Sequence, residues 1–110
     1  MKSDLIVEVK EELSSSGFNT VECVGSRSCF DLLSKKGETL VIVKVLANIE
    51  GFSKRAASEL KSAAYALNAL PVVVGHKMKS HSLEENILYE RYGVLAVCPR
   101  TLGGLVEGRL

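Results

Sequence analysis

No run of apolar residues near the start of this chain is long enough for a signal peptide or a membrane span. Residues 1–4 lead only into Leu5, Ile6 and Val7 before Glu8 interrupts them. That absence argues for a cytoplasmic protein with no membrane partner. A basic excess is missing too: 14 Lys and Arg stand against 13 Asp and Glu, a net charge of +1. Lys35, Lys36, Lys54, Arg55, Lys77 and Lys79 are offset by acids elsewhere. A module that lives on phosphate contacts carries a basic stripe, so strong nucleic-acid binding by this domain alone is disfavoured. Cysteine is sparse. Cys23, Cys29 and Cys98 have no C-x-x-C spacing, and an odd count fits free thiols better than a secreted disulfide framework. One geometric alternative stays open: a tight turn through "VGSRS" would set Cys23 and Cys29 facing each other across two strands. Internal repeats and low-complexity segments are absent as well.

What is present is the material of one soluble globular domain. A chain of 110 residues, 46% apolar and 25% charged, suits a single hydrophobic core. The last residues, "TLGGLVEGRL", end without a polar tail and read as a cut within a longer protein.

Ser3 and Asp4 suit a helix start, and Leu5, Ile6, Val9 and Leu13 recur at helical spacing, predicting a helix over residues 3–15 that ends at Gly17. "FNTVECV" alternates as a strand does, "GSRS" turns the chain, "CFDLLSK" is a second strand and "TLVIVKVL" a third. The third is apolar on both faces, as a central strand requires. Ser53 then caps a helix reaching about residue 69, with a small apolar stripe of Ala56, Ala57, Leu60, Ala63, Ala64 and Leu67. "PVVVG" and "VLAVC" are further strands. The polar stretch between them holds one helical turn near residues 83–88, and "TLGGLV" begins another helix. The order α-β-β-β-α-β-β gives an α/β fold: an antiparallel meander, then a right-handed crossover to a parallel strand, in a mixed central sheet flanked by helices.

The hairpin "FDLLSKKGETLVIVKVL" raises the functional question. Asp31 and Lys44 each sit among residues that ask to be buried, and ionised groups are costly to bury unless paired or metal-bound. Leu40, Ile42, Lys44 and Leu46 share one face of the third strand, and a hairpin through "KKGE" brings Asp31 into the neighbourhood of Lys44. Read without context, the pair is a half-buried ion pair, or a lysine whose stem packs while its head reaches water.

A helix ending in "GF", a hairpin carrying an aspartate, a strand ending in x-x-Lys and then a long helix resemble the PD-(D/E)xK nuclease superfamily, with the nearest likeness to archaeal Holliday junction resolvases. That resemblance implies a restriction-endonuclease-like core, two acids holding a divalent metal, and a lysine orienting the attacking water. The aspartate position falls on Asp31 and the lysine on Lys44. The second acid, two residues before the lysine, is Ile42, and Ile6 falls near the place of the family's glutamate on the first helix. Isoleucine supplies neither oxygen nor charge, so the expectation is a retained scaffold with vestigial positions Asp31, Ile42 and Lys44, no metal, no cofactor and no catalysis. A narrower resemblance covers nearly the whole chain: "GFNTVECVGSRSCFDLLSKKGETLVIVKVLANIEGFS", "ELKSAAYALNALPVVVGHKM" and "ILYERYGVLAVCPRTL" are similar to the N-terminal region of archaeal helix-turn-helix regulators of the Cro/repressor type. It implies a homodimer that contacts DNA through a domain outside these residues; a small-molecule effector bound in the remnant cleft is a separate possibility. No segment here reads as a recognition helix.

Other candidates carry weaker signals. His76 and His81 flank "KMKS", but without a third ligand nearby a solvated loop is the simpler reading. "GSRS" would cup a phosphate with Arg27, although a plain turn needs no ligand. Arg27 and Arg91 are the candidate rim of the old nuclease cleft, with strand entry the plainer role for Arg91 and Tyr92. "TLGGL" is far from a dinucleotide fingerprint, and Ser14 to Ser16 are helix-end residues with no base partner. The rival to the inactive reading is an active metal-dependent endonuclease, which would recruit Glu22, Glu38 or Glu50 as the missing ligand.

Overall fold

The structure is a computed structural model that describes residues 2–23 and 29–109. Helix α1 (Lys2–Ser15) buries Leu5, Val9 and Leu13, one residue per turn. It ends where Gly17 takes φ +84°: Phe18 N–H donates to Leu13 O and Gly17 N–H to Ser14 O, the paired bonds of a left-handed helix stop. Strands β1 (Asn19–Glu22), β2 (Leu32–Lys36) and β3 (Thr39–Val45) follow as the expected antiparallel meander. After β3 comes a short 3₁₀ turn (Ile49–Gly51). Helix α2 (Lys54–Leu67) is capped by Ser53, whose Oγ accepts from Ala56 N–H at 3.0 Å, and stops at Asn68 with φ 54°.

The crossover through α2 returns to β4 (Leu70–Val74), which lies parallel to β3 with Val43 beside Val72. Strand β8 (Val94–Val97) is parallel to β4 and antiparallel to β7 (Tyr89–Arg91), so the sheet runs β1-β2-β3-β4-β8-β7 and is mixed, as the sequence implied. Two apolar layers form because β3 alternates faces. Val41, Val43 and Val45 pack with Leu5, Val9 and Leu13 of α1 and with Leu102 of α3 (Pro99–Val106). Ile42 packs on the other side with Ala57, Leu60 and Ala64 of α2 and with Phe52. The alanine stripe lets α2 lie close to the sheet. Pro99 opens α3 at the first helical position, where no N–H is needed.

The polar stretch after β4 departs from expectation. Instead of a helical turn near residues 83–88, it forms a small hairpin of β5 (Lys77–Met78) and β6 (His81–Ser82), then β7 (Tyr89–Arg91) along the edge of the main sheet. Residues in the left-handed region drive this: Lys79 (φ 58°) turns the first hairpin and Asn86 (φ 63°) interrupts any helix. Tyr92 (φ 51°) and Gly93 (φ 82°) close the two-residue turn into β8. The order among the described residues therefore has three strands more than the expected one. No helix among the described residues is long and apolar enough to cross a membrane.

Candidate functional site

The site is built where β2 begins and β3 ends. Leu32 is the register partner of Val43, yet Asp31 N–H also donates to Val43 O at 2.8 Å. Two residues against one is a β-bulge, a device that re-aims a side chain. Here it turns the Asp31 carboxylate toward the C-terminal end of β3. Oδ2 accepts from Val45 N–H at 2.7 Å and lies 3.8 Å from Lys44 Nζ, while Oδ1 lies 3.0 Å from Lys2 Nζ at the start of α1. The Asp31 side chain is 17% exposed, Lys44 21% and Lys2 47%. Asp31 and Lys44 do meet, but at a distance of charge contact rather than hydrogen bonding. Lys2 makes the closer approach.

Sequence reasoning missed Lys2. No local spacing ties a residue at the start of α1 to one at the start of β2; only the packing of α1 across the sheet brings them together. Ile42, on β3, has no exposure and sits in the core beneath α2. The acids that would rescue a metal site are spent elsewhere. Glu22 pairs with Lys10 at 2.8 Å, and Glu50 with Arg91 at 3.4 Å. Glu38 lies in the β2–β3 turn, about 20 Å along the strand from Lys44 at 3.3 Å per residue. Among the described residues no three His, Cys, Asp or Glu side chains converge on a point. A divalent cation at Asp31 would share one carboxylate with two ammonium groups, so the residues present do not fit the metal that the fold's nuclease members imply.

The remaining candidates are dispersed. Arg27 lies outside the described residues, as does the rest of the "GSRS" turn. Arg91 spends its guanidinium on the 3₁₀ turn: Nε donates to Phe52 O at 2.8 Å and Nη2 to Glu50 O at 3.1 Å, and the group lies 4.9 Å from the Tyr92 ring centre. None of these contacts joins it to Asp31 or Lys44. His76 faces Glu8 at 3.5 Å while His81 lies in β6 opposite Met78, so they form no clip. Cys23, Cys29 and Cys98 are free thiols, and no bond links Cys23 to Cys29. Burial, and secondarily the Asp31 charge, pushes the Cys23 thiol above its ordinary value. Neither of two surface grooves, one of about 410 Å³ between α1 and β1 and one of about 510 Å³ beneath the β5–β6 hairpin, is lined by Asp31 or Lys44.

A mixed sheet with an aspartate at the head of β2 and a lysine near the end of β3 defines the restriction-endonuclease-like class. A family model described as the PD-(D/E)XK superfamily domain matches residues 2–110, and the chain belongs to that family. Its relatives include archaeal proteins named as candidate HTH-type transcriptional regulatory proteins. One from Methanothermobacter thermautotrophicus is 37% identical over 105 residues, covering 96% of this chain and 33% of its own length. One from Pyrococcus horikoshii is 37% identical over 101 residues, covering 92% and 32%. One from Methanococcus maripaludis is 38% identical over 97 residues, covering 88% and 29%. The chain thus spans about a third of the length of the curated relatives it matches. No solved structure matches it.

Proposed function

We propose that this is a non-catalytic PD-(D/E)XK domain of a cytoplasmic, DNA-binding transcriptional regulator, serving self-association or partner contact rather than cleavage. The observation that carries the reading is the occupation of Asp31. Its oxygens already face Lys2, Lys44 and the Val45 N–H, and the neighbouring position that would supply a second acid is the buried Ile42. Nuclease chemistry needs oxygens converging on a hard cation beside the scissile phosphate. Lysine ammoniums within 4 Å of the one carboxylate oppose that cation.

The near-balanced charge agrees with DNA contact made by a domain outside these residues, in the N-terminal-domain arrangement that the sequence resemblance implies. The relatives' names support the regulator class. Regulators that read two-fold operators pair their subunits, which favours a homodimer. The test is incubation with plasmid and branched DNA in magnesium or manganese. The expected result is intact DNA. Cleavage that Asp31→Asn abolishes would replace this reading with that of an active endonuclease.

A further inference from the structure

Among the described residues strand β1 is an edge of the six-stranded sheet, with no strand paired on its outer side. Cys23 N–H donates to Asp31 O at 2.9 Å, so the odd-numbered residues of β1 bond to β2. The N–H and C=O groups of Thr20 and Glu22 therefore point away from the sheet. Thr20 lies on the α1 side, where its hydroxyl meets that of buried Ser34 at 2.8 Å. Alongside runs the groove of about 410 Å³, walled by Val7, Lys10 and Ser14 of α1 and floored by Phe18 and Thr20. That is where the inward side chains of one more strand would lie. On the opposite face Val21, paired with Leu33, is 62% exposed, with no strand beside it on its outer side among the described residues. Val7, at the groove wall, is 56% exposed. An edge whose outward backbone groups have no partner among the described residues, with exposed valines beside it, is a template for pairing.

We infer that this edge is the self-association face, and that its occupant is β1 of a second copy of this chain, joined antiparallel about a two-fold axis between the two Val21 residues. The inference rests on the self-association reading above and names its surface. The faces decide the register. A two-fold perpendicular to the sheet keeps the α1 side on the α1 side, so Thr20 must oppose an even-numbered residue of the other copy. Placing Val21 opposite Val21 puts Thr20 opposite Glu22 twice over. All the outward N–H and C=O groups of both residues are then bonded, and the two valines meet as a close non-hydrogen-bonded pair, with Cα atoms about 4.5 Å apart. The charges complement themselves. Lys10, 2.8 Å from its own Glu22, lines the groove that receives the second copy's Glu22.

Two variants test this by different means. Glu22→Pro removes an outward N–H that the monomer does not use, at an edge position where proline is tolerated. Val21→Lys sets two ammoniums against each other across the axis. Sedimentation equilibrium of the 110-residue chain over a concentration series reads the outcome, with circular dichroism melting to confirm folding. The expected result is a self-associating parent and a dissociation constant raised at least about tenfold in both variants, without loss of fold. A parent that dimerises while both variants dimerise equally well overturns the β1 edge but leaves self-association standing. A parent that stays monomeric at every concentration overturns both.

Discussion

Lys2 Nζ lies 3.0 Å from Asp31 Oδ1, nearer than the 3.8 Å that separates Lys44 Nζ from Oδ2. The aspartate that nuclease members of this fold devote to a cation here joins the first helix to the sheet. The Val45 N–H, 2.7 Å from Oδ2, makes the same carboxylate part of the backbone bonding at the end of β3. Asp31→Ala removes the acceptor and both charge contacts and should cost about 2–3 kcal/mol, whereas Asp31→Asn keeps an acceptor for Val45 and should cost about 1 kcal/mol. Urea unfolding of the two variants checks the order. Equal losses would mean that the backbone bond contributes nothing.

Ile42 is fully buried among Ala57, Leu60 and Val73. Ile42→Val should cost about 1 kcal/mol, in the range of a deleted core methylene. Ile42→Glu, which restores the acid of the family pattern, should cost more than about 3 kcal/mol because its carboxylate would enter an apolar layer. Denaturant midpoints measure both. A tolerated Ile42→Glu would mean that the position opens toward the site.

Ser16 O–H donates to Glu107 Oε2 at 2.7 Å, tying the end of α1 to the end of α3. That bond chiefly holds the Glu107 carboxyl below its ordinary value of 4.5; partial desolvation opposes it, and the Arg109 and Lys36 charges add lesser downward pulls. A depressed folded value means the contribution is fully present above the unfolded value and is lost as pH falls through the folded one. The parent should therefore lose stability on acidification below about 4.5 more steeply than Glu107→Gln. Parallel pH-dependent melting curves from 7 down to 3 decide it.

Cys23 should react slowly. Burial and the Asp31 charge raise its thiol above 9.0, so at pH 8 the thiolate fraction is below that of a free cysteine. Site-resolved alkylation should give a rate for Cys23 several-fold below the free amino acid, partly recovered in Asp31→Asn. No change in that variant would assign the effect to burial alone.

Arg91 grips the 3₁₀ turn through two carbonyls, Phe52 O and Glu50 O, from a side chain 21% exposed. Arg91→Lys keeps the charge but loses the planar fork, so it should cost about 1–2 kcal/mol despite its conservative appearance. Thermal unfolding of Arg91→Lys beside Arg91→Ala measures this. If Lys matches the parent, charge alone suffices.

Most of the frame was legible because burial has a period. Leu5, Val9 and Leu13 mark α1, the apolar run of β3 marks a central strand, and Ala57, Leu60 and Ala64 mark the buried side of α2. The hairpin also announced Asp31 and Lys44 as neighbours. Residues 76–93 were not legible. Their strands are two or three residues long, and their turns rest on Lys79, Asn86 and Tyr92 in the left-handed region, which Lys and Tyr seldom adopt and which no local sequence signal announced at those two positions. The site was half legible for a related reason: Asp31 and Lys44 are joined by a local hairpin, while Lys2 reaches Asp31 only through the packing of α1.

The central claim is that Asp31, with buried Ile42 in place of a second acid and with Lys2 and Lys44 within 4 Å, holds no metal. Electron paramagnetic resonance of manganese titrated with the protein tests it most directly, because the six-line signal of the free ion weakens on binding. The account predicts that the signal stays at full strength with protein in excess at neutral pH. A loss of signal that Asp31→Asn restores would contradict it.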